Sequence, residues 1–206
     1  MWNTLLKITL SFALFLGGVG AVLHFFFVDR VIVGHNGMAP TVFAGDEVIL
    51  WRQGNVEMGD VVLCQHPGNP SQVVLGRVYA KHAMTISTDR RGQISVANTL
   101  VDRDYIGETQ FQDQVAGINY IMSWGYARLG NSEHLFFVRK GGRPRIFETK
   151  VNKGLFLLGD NLSNPRWDSR SFGEVDPESC SGSMFLRWKP SGTAPEEFGN
   201  GYFDLL

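Results

Sequence analysis

Cysteine is scarce in this 206-residue chain, with only Cys64 and Cys180 present. Neither has metal-ligand spacing with the five histidines, so no metal site is expected, and no cofactor motif accompanies them. An excess of one charge is lacking too. The 19 Lys and Arg balance 20 Asp and Glu to a net charge of −1, which leaves no electrostatic footprint for a nucleic-acid partner. Long apolar runs are missing after residue 28, and Leu135–Val138 is far too short for a second membrane span. There is no internal repeat, no low-complexity block and no long helical stripe. Leu, Val, Ile and Thr come instead in short alternating runs. With 24 Gly and 15 Phe, this composition suits a turn-rich, mainly β protein. The length allows one substantial core, or a core plus a smaller inserted domain.

The N-terminus carries the one long apolar segment. Ile8–Val28 has no formally charged residue, and 21 helical residues span roughly 30 Å, the thickness of a bilayer core. His24 is its only strongly polar interruption, near the outer end. Lys7 precedes the segment, while Asp29 and Arg30 cancel after it. The positive-inside rule then keeps the N-terminus in the cytoplasm and exports everything beyond Arg30. A cleaved signal peptide is the alternative, given the small residues Gly17–Ala21. The apolar run continues through Phe25–Phe27, so an uncleaved single-pass anchor in the cytoplasmic (inner) membrane is favoured. Both cysteines would then meet an oxidising compartment, where a disulfide and a pair of buried free thiols stay equally open.

Beyond the anchor, short apolar runs predict strands at Val31–Val33, Glu47–Trp51, Val61–Cys64, Val73–Tyr79 and Ser183–Trp188. Met84–Ser87 and Gln93–Val96, either side of Asp89–Gly92, predict a hairpin. Residues 100–150 are less patterned and contain the basic stretch Arg139–Arg145, expected to be a solvated loop rather than a lipid contact. The Pro-, Gly- and Glu-rich tail, residues 189–206, is expected to be mobile.

Gly34-His35-Asn36-Gly37-Met38-Ala39-Pro40-Thr41, followed by Gly45-Asp46, has the frame of a serine-protease loop without a serine. It resembles the nucleophile segment of type I signal peptidases, whose pattern is Ser-Gly-Ser-Met-x-Pro-Thr, then Gly-Asp. Four further blocks follow in order. Gly45–Leu50 and Gly59–Val62 look like that family's paired Gly-Asp segments. Leu75–Val78 aligns with its Lys-Arg-Val segment, which carries the general base. Gly92–Asn98 is similar to its Gly-x-Leu-x-Val-Asn-Gly hairpin. Gly159–Gly173 matches Gly-Asp-Asn…Asp-Ser-Arg-x-Phe-Gly, with one extra residue in the middle. The resemblance covers most of residues 5–188, with 100–150 poorly matched.

It implies a signal-peptidase-like antiparallel β fold in residues 31–188, with an inserted β-rich subdomain at about 83–153, behind an anchor in residues 1–30. It also marks what is missing. In the family a Ser hydroxyl attacks the peptide carbonyl, a neutral Lys takes its proton, and a donor pair holds the oxyanion. Here the nucleophile position is Gly37, the base position is Gly76 and the oxyanion Ser is His35. Losing the nucleophile or its base costs on the order of 10⁶-fold in turnover.

Ser181–Met184 spells the nucleophile tetrapeptide again but sits where the family has its last core strand. Lys81 lies five residues beyond Gly76 and would face the opposite side of a strand. His82, Thr41 and Cys64 have no evident base partner. Asp160, Asn161, Asp168, Ser169 and Arg170 are expected to support the site. Gly37, with a free backbone N–H, together with Met38, Pro40 and Arg77, is expected to line a widened peptide cleft. Three functions follow: a non-catalytic homologue binding extended or signal-like peptides of exported proteins, an active signal peptidase with a displaced nucleophile, and a structural subunit of a membrane complex. The expected partners are therefore the lipid bilayer and such peptides.

Overall fold

The computed structural model describes residues 2–52, 54–113, 117–198 and 204–205. Helix α1, Trp2–Phe27, contains the apolar window Thr4–Ala21, of mean hydropathy 1.6 and with none of it buried against the protein. It passes directly into strand β1, Val28–Ile32, which pairs antiparallel with β2, Glu47–Trp51. A hairpin of β3, Val61–His66, and β4, Asn69–Ala80, follows. The next strands are β5 (Thr85–Thr88), β6 (Ile94–Val96), β7 (Thr99–Leu100), β8 (Asp102–Asp113), β9 (Ile118–Leu129) and β10 (Ser132–Arg139). Then come β11 (Phe147–Lys150), β12 (Phe156–Leu158), the short helix α2 (Ser169–Phe172), β13 (Cys180–Lys189) and β14 (Asp204–Leu205).

These strands form three antiparallel sheets. The main one runs β1-β2-β13-β3-β4-β12, with β14 on β13; the others are β10-β9-β8 and β11-β5-β6-β7. The fold is mainly β, as the composition predicts. One buried cluster joins all three sheets: Tyr79 and Leu158 from the main sheet meet Leu129 and Phe136 from the β10-β9-β8 sheet and Ile86 and Val96 from the β11-β5-β6-β7 sheet. Burying each large side chain contributes about 1.5–3 kcal/mol, so this cluster fixes the smaller sheets against the β4–β12 edge. A second cluster, including Val33, Met38, Val42 and Leu50, seats the loop between β1 and β2 on the main sheet.

The two Gly-Asp pairs share one device. Gly45 and Gly59 take φ of +90° and +94°, where a side chain is strained. The carboxylates of Asp46 and Asp60 then accept the N–H of Phe43 and Glu57, each at 2.8 Å. Each turn is thereby locked just before its strand.

Three features differ from the sequence reading or go beyond it. Residues 100–150 hold the long strands β8 and β9, whose buried positions alternate only in their second halves and include Thr109, Asp113, Gly125 and Ala127 as well as Phe111 and Leu129. Cys64 and Cys180 are disulfide-bonded between β3 and β13. The tail is docked as far as Phe198: Ser191 N–H donates to Asp46 at 2.7 Å, and the Phe198 ring lies 5.0 Å from that of Phe137. Most of the remaining tail, residues 199–203 and 206, lies outside the described residues.

Candidate functional site

The loop between β1 and β2 carries a single 3₁₀ turn, Asn36–Met38, held from both sides. Buried Asn36 donates from Nδ2 to Asp113 at 2.8 Å and accepts the Ala44 N–H at 2.8 Å. Below the loop lies a buried charge pair. Arg77 donates from Nε and Nη2 to Asp160 at 2.8 and 2.6 Å, and from Nη1 to the Gly59 carbonyl at 2.6 Å. Thr41 donates to the same carboxylate at 2.5 Å. Burial disfavours the Arg77 charge, but the Asp160 carboxylate outweighs this and holds its pKa above the usual value. Removing one partner of such a pair costs about 3–5 kcal/mol, because the other is left buried and uncompensated.

The segment after β12 threads past this pair. Asn161 donates its N–H to the Gly37 carbonyl at 3.0 Å and its Nδ2 to the Asn36 carbonyl at 3.1 Å. Asp168 caps α2 by accepting the Arg170 N–H at 3.0 Å, and it also accepts the Gly159 N–H at 3.2 Å. The Arg170 guanidinium grips Asp168 at 2.5 Å and reaches the Leu162 carbonyl at 2.6 Å. Ser169 accepts the Leu157 N–H at 2.9 Å. Asp160, Asn161, Asp168, Ser169 and Arg170 are thus one continuous brace.

Gly37 and Gly76 both border that segment. A Cβ on Gly159 would lie 2.2 Å from the Gly37 carbonyl oxygen, so these two backbones touch. In the β4–β12 ladder Leu157 faces Val78 and Leu158 faces Arg77, which sets Gly76 against Leu157 and the Leu158 carbonyl. The space at both positions is filled. A Cβ on Gly37 would meet the His35 ring at 2.8 Å and Trp167 Cβ at 3.3 Å. A Cβ on Gly76 would meet Leu157 Cβ at 2.9 Å. His35 stacks on Trp167, with ring centres 4.5 Å apart and planes 5° from parallel.

The expected widening of the cleft is therefore not found. Nor is the Gly37 N–H free, because it donates to His35 Nδ1 at 3.1 Å. Burial holds the His35 pKa at about 4, with Asp113 only partly opposing, so the ring is neutral near pH 7. With Nδ1 accepting, its proton sits on Nε2.

The four residues expected to line one cleft are dispersed. Met38 is wholly buried in the core. Pro40 and Arg77 border a cavity of about 410 Å³. A separate cleft of about 240 Å³ opens beside His35, walled by Trp167, Asn161, Asp113, Tyr120 and Arg139. Asn161 is one of its lining residues, and its buried Oδ1 has no hydrogen-bond partner. Sequence reasoning missed Trp167 and Leu157. Trp167 falls in the block with the extra residue, which was a signal, whereas Leu157 is one of an undistinguished apolar run.

The substitute groups are engaged elsewhere. Lys81 pairs with Glu57 at 2.9 Å, and His82 bonds the Asn152 carbonyl. Ser181 donates to the Leu63 carbonyl at 3.2 Å, and Ser183 lies inside the β13 ladders. Cys64 is in the disulfide. Among the described residues no group of three His, Cys, Asp or Glu side chains is placed to hold a metal.

A family model described as signal peptidase, peptidase S26, matches residues 3–189, from α1 to the end of β13. No curated protein matches the chain.

Proposed function

Since the chain belongs to the signal peptidase family, we propose that it is a membrane-anchored, non-hydrolysing member that binds extended peptide segments of exported proteins in the cleft beside His35. The observation that carries this reading is the filling of both vacated side-chain positions while the adjoining cleft stays open. His35 and Trp167 occupy the nucleophile's place and Leu157 the base's, so no group is left to attack a carbonyl or to take a proton. The cleft supplies what a peptide backbone needs instead. His35 Nε2–H donates to a peptide carbonyl along a wall shared by Trp167 and Tyr120. The reading of an active enzyme with a displaced nucleophile draws no support from Lys81, His82 or Ser181, whose side chains are engaged with Glu57, the Asn152 carbonyl and the Leu63 carbonyl, or from Ser183, which lies inside the β13 ladders.

In this proposal α1 spans the inner membrane with its N-terminus inside, and the β domain lies on the extracytoplasmic side. The Lys7 charge before the span and the disulfide support that orientation. The test is an Ala-x-Ala signal-peptide substrate offered to the full-length protein in detergent, with cleavage and binding read together. We expect saturable binding without turnover. His35→Phe keeps the stack but removes the donor, and should weaken binding by about fivefold, the equivalent of one ordinary hydrogen bond. Turnover by the parent protein, or no binding at all, would sink the proposal.

A further inference from the structure

Five arginines and no carboxylate line a cleft of about 230 Å³ where the two smaller sheets meet the segment after β12. Arg91 comes from the β5–β6 turn, Arg103 from β8, Arg143 and Arg145 from the β10–β11 loop, and Arg170 from α2. Arg170 is neutralised by Asp168. No ion pair takes up the other four among the described residues. The carboxylate of Asp89, in the same turn, is exposed and accepts the backbone N–H groups of Arg91 and Gln93, each at 2.8 Å, rather than an arginine side chain. Arg103 is pre-positioned: it donates to the Gly92 carbonyl at 2.6 Å and lies 5.5 Å over the Phe136 ring, while its buried Nε–H has no acceptor.

Four uncompensated guanidinium groups drawn from three separate stretches repel one another, and an anion between them removes that repulsion. The chain has six lysines, yet none lines this cleft. Guanidinium forks match carboxylates in a bidentate way that ammonium groups do not. Ile94, Val138 and Leu162 give the same cleft an apolar wall, which suits a ligand with an apolar body beside its charges. Ser163 borders both this cleft and the one beside His35, and Arg139 and Arg166 continue the positive charge across it. Helix α1 adjoins β1, the first strand of the main sheet, whereas this cleft belongs to the sheets packed at the opposite, β12 edge. That placement favours a polypeptide ligand over the membrane surface.

We propose that this arginine-lined cleft docks an acidic segment of a partner polypeptide, whose carboxylates sit on Arg91, Arg103, Arg143 and Arg145 and whose apolar side chains lie on the cleft wall. The probe is a fluorescein-labelled, end-blocked hexapeptide of alternating glutamate and leucine, with a glutamine counterpart, titrated against the full-length protein in detergent at low salt. The glutamate peptide should bind at least about tenfold more tightly than the glutamine one, as expected for charge-assisted hydrogen bonds. Arg143→Gln/Arg145→Gln, both exposed and away from the core, should remove about tenfold of that affinity. Arg91→Gln provides a second exposed variant with the same expected direction. Equal binding of the two peptides, or affinity unmoved by these substitutions, overturns the proposal. So does capture of phosphatidylglycerol vesicles or pyrophosphate, lost in the same variants, with no binding of the acidic peptide. These readouts do not depend on the uncharged Ala-x-Ala peptide, so the proposal stands or falls apart from the His35 cleft.

Discussion

At position 35 one imidazole covers the place of a missing side chain, stacks on Trp167 and accepts the Gly37 N–H, the last of which requires its Nδ1 to be unprotonated. His134 is buried. Its Nε2 lies 2.8 Å from the Tyr79 hydroxyl, and its Nδ1 has no partner. Burial holds the pKa of each at about 4, against an ordinary 6.5. The folded values lie below the unfolded ones, so between pH 6.5 and 4 the unfolded chain binds protons that the folded chain does not. Stability is therefore intact above pH 6.5 and falls as pH drops towards 4, by about 3 kcal/mol for each histidine. The midpoint of thermal unfolding should decline across that window. His134→Gln leaves Tyr79 a hydrogen-bond partner and cannot titrate, so it should remove about half of the decline. An unfolding midpoint flat from pH 7 to 4 would refute the assignment of both rings as neutral.

Between elements, what matters is the register of β12 against β4, which sets Leu157 over Gly76. Putting back the family's groups in Gly37→Ser/Gly76→Lys should not restore a working site. The new Lys Cβ falls 2.9 Å from Leu157 Cβ, an atom fixed to the backbone, and such overpacking costs about 1–3 kcal/mol. The double variant should therefore melt below the parent; only Leu157→Gly, not Leu157→Ala, would remove the crowding Cβ, as His35→Ser removes the ring that crowds Gly37. A double variant as stable as the parent would mean that Leu157 yields freely. The strands around these positions were legible in the sequence, because Val61–Cys64 is an unbroken apolar run and Val73–Tyr79 is one interrupted only by Gly76 and Arg77, of the kind that a sheet buries on both faces. The glycines themselves were legible as departures from a motif. Their filling was not, since it depends on which side chain a neighbouring strand brings alongside, and nothing in the local spacing of Leu157 or Trp167 records that. For β8 and β9 the reason is different. Their second halves do alternate, but the buried positions include Thr109, Asp113, Gly125 and Ala127, so the sequence carried no hydrophobic alternation to mark them.

Across the whole molecule, the disulfide ties β3 to β13 over 116 residues of sequence, enclosing both smaller sheets, β12 and α2. Two cysteines so far apart gave no geometric sign of pairing; it is the β3–β13 ladder, with Cys180 opposite Cys64, that brings them together. That ladder lies in the middle of the main sheet, next to the cluster of Val62, Val78 and Leu157 that backs the Gly76 position. Closing so long a loop restricts the unfolded chain, and the chain-entropy account gives it about 4–5 kcal/mol of stabilisation. Cys64→Ser/Cys180→Ser should therefore lower the unfolding midpoint by on the order of 10 °C. Reductant should lower the parent's midpoint similarly and leave the variant's unchanged. The sheets pack on one another through Tyr79, Ile86, Phe136 and Leu158 independently of the sulfurs, so the variant should still fold and still bind peptide. An unfolding midpoint in the variant equal to that of the oxidised parent would mean that hydrophobic packing alone holds the two strands, and that the bridge adds nothing to the fold.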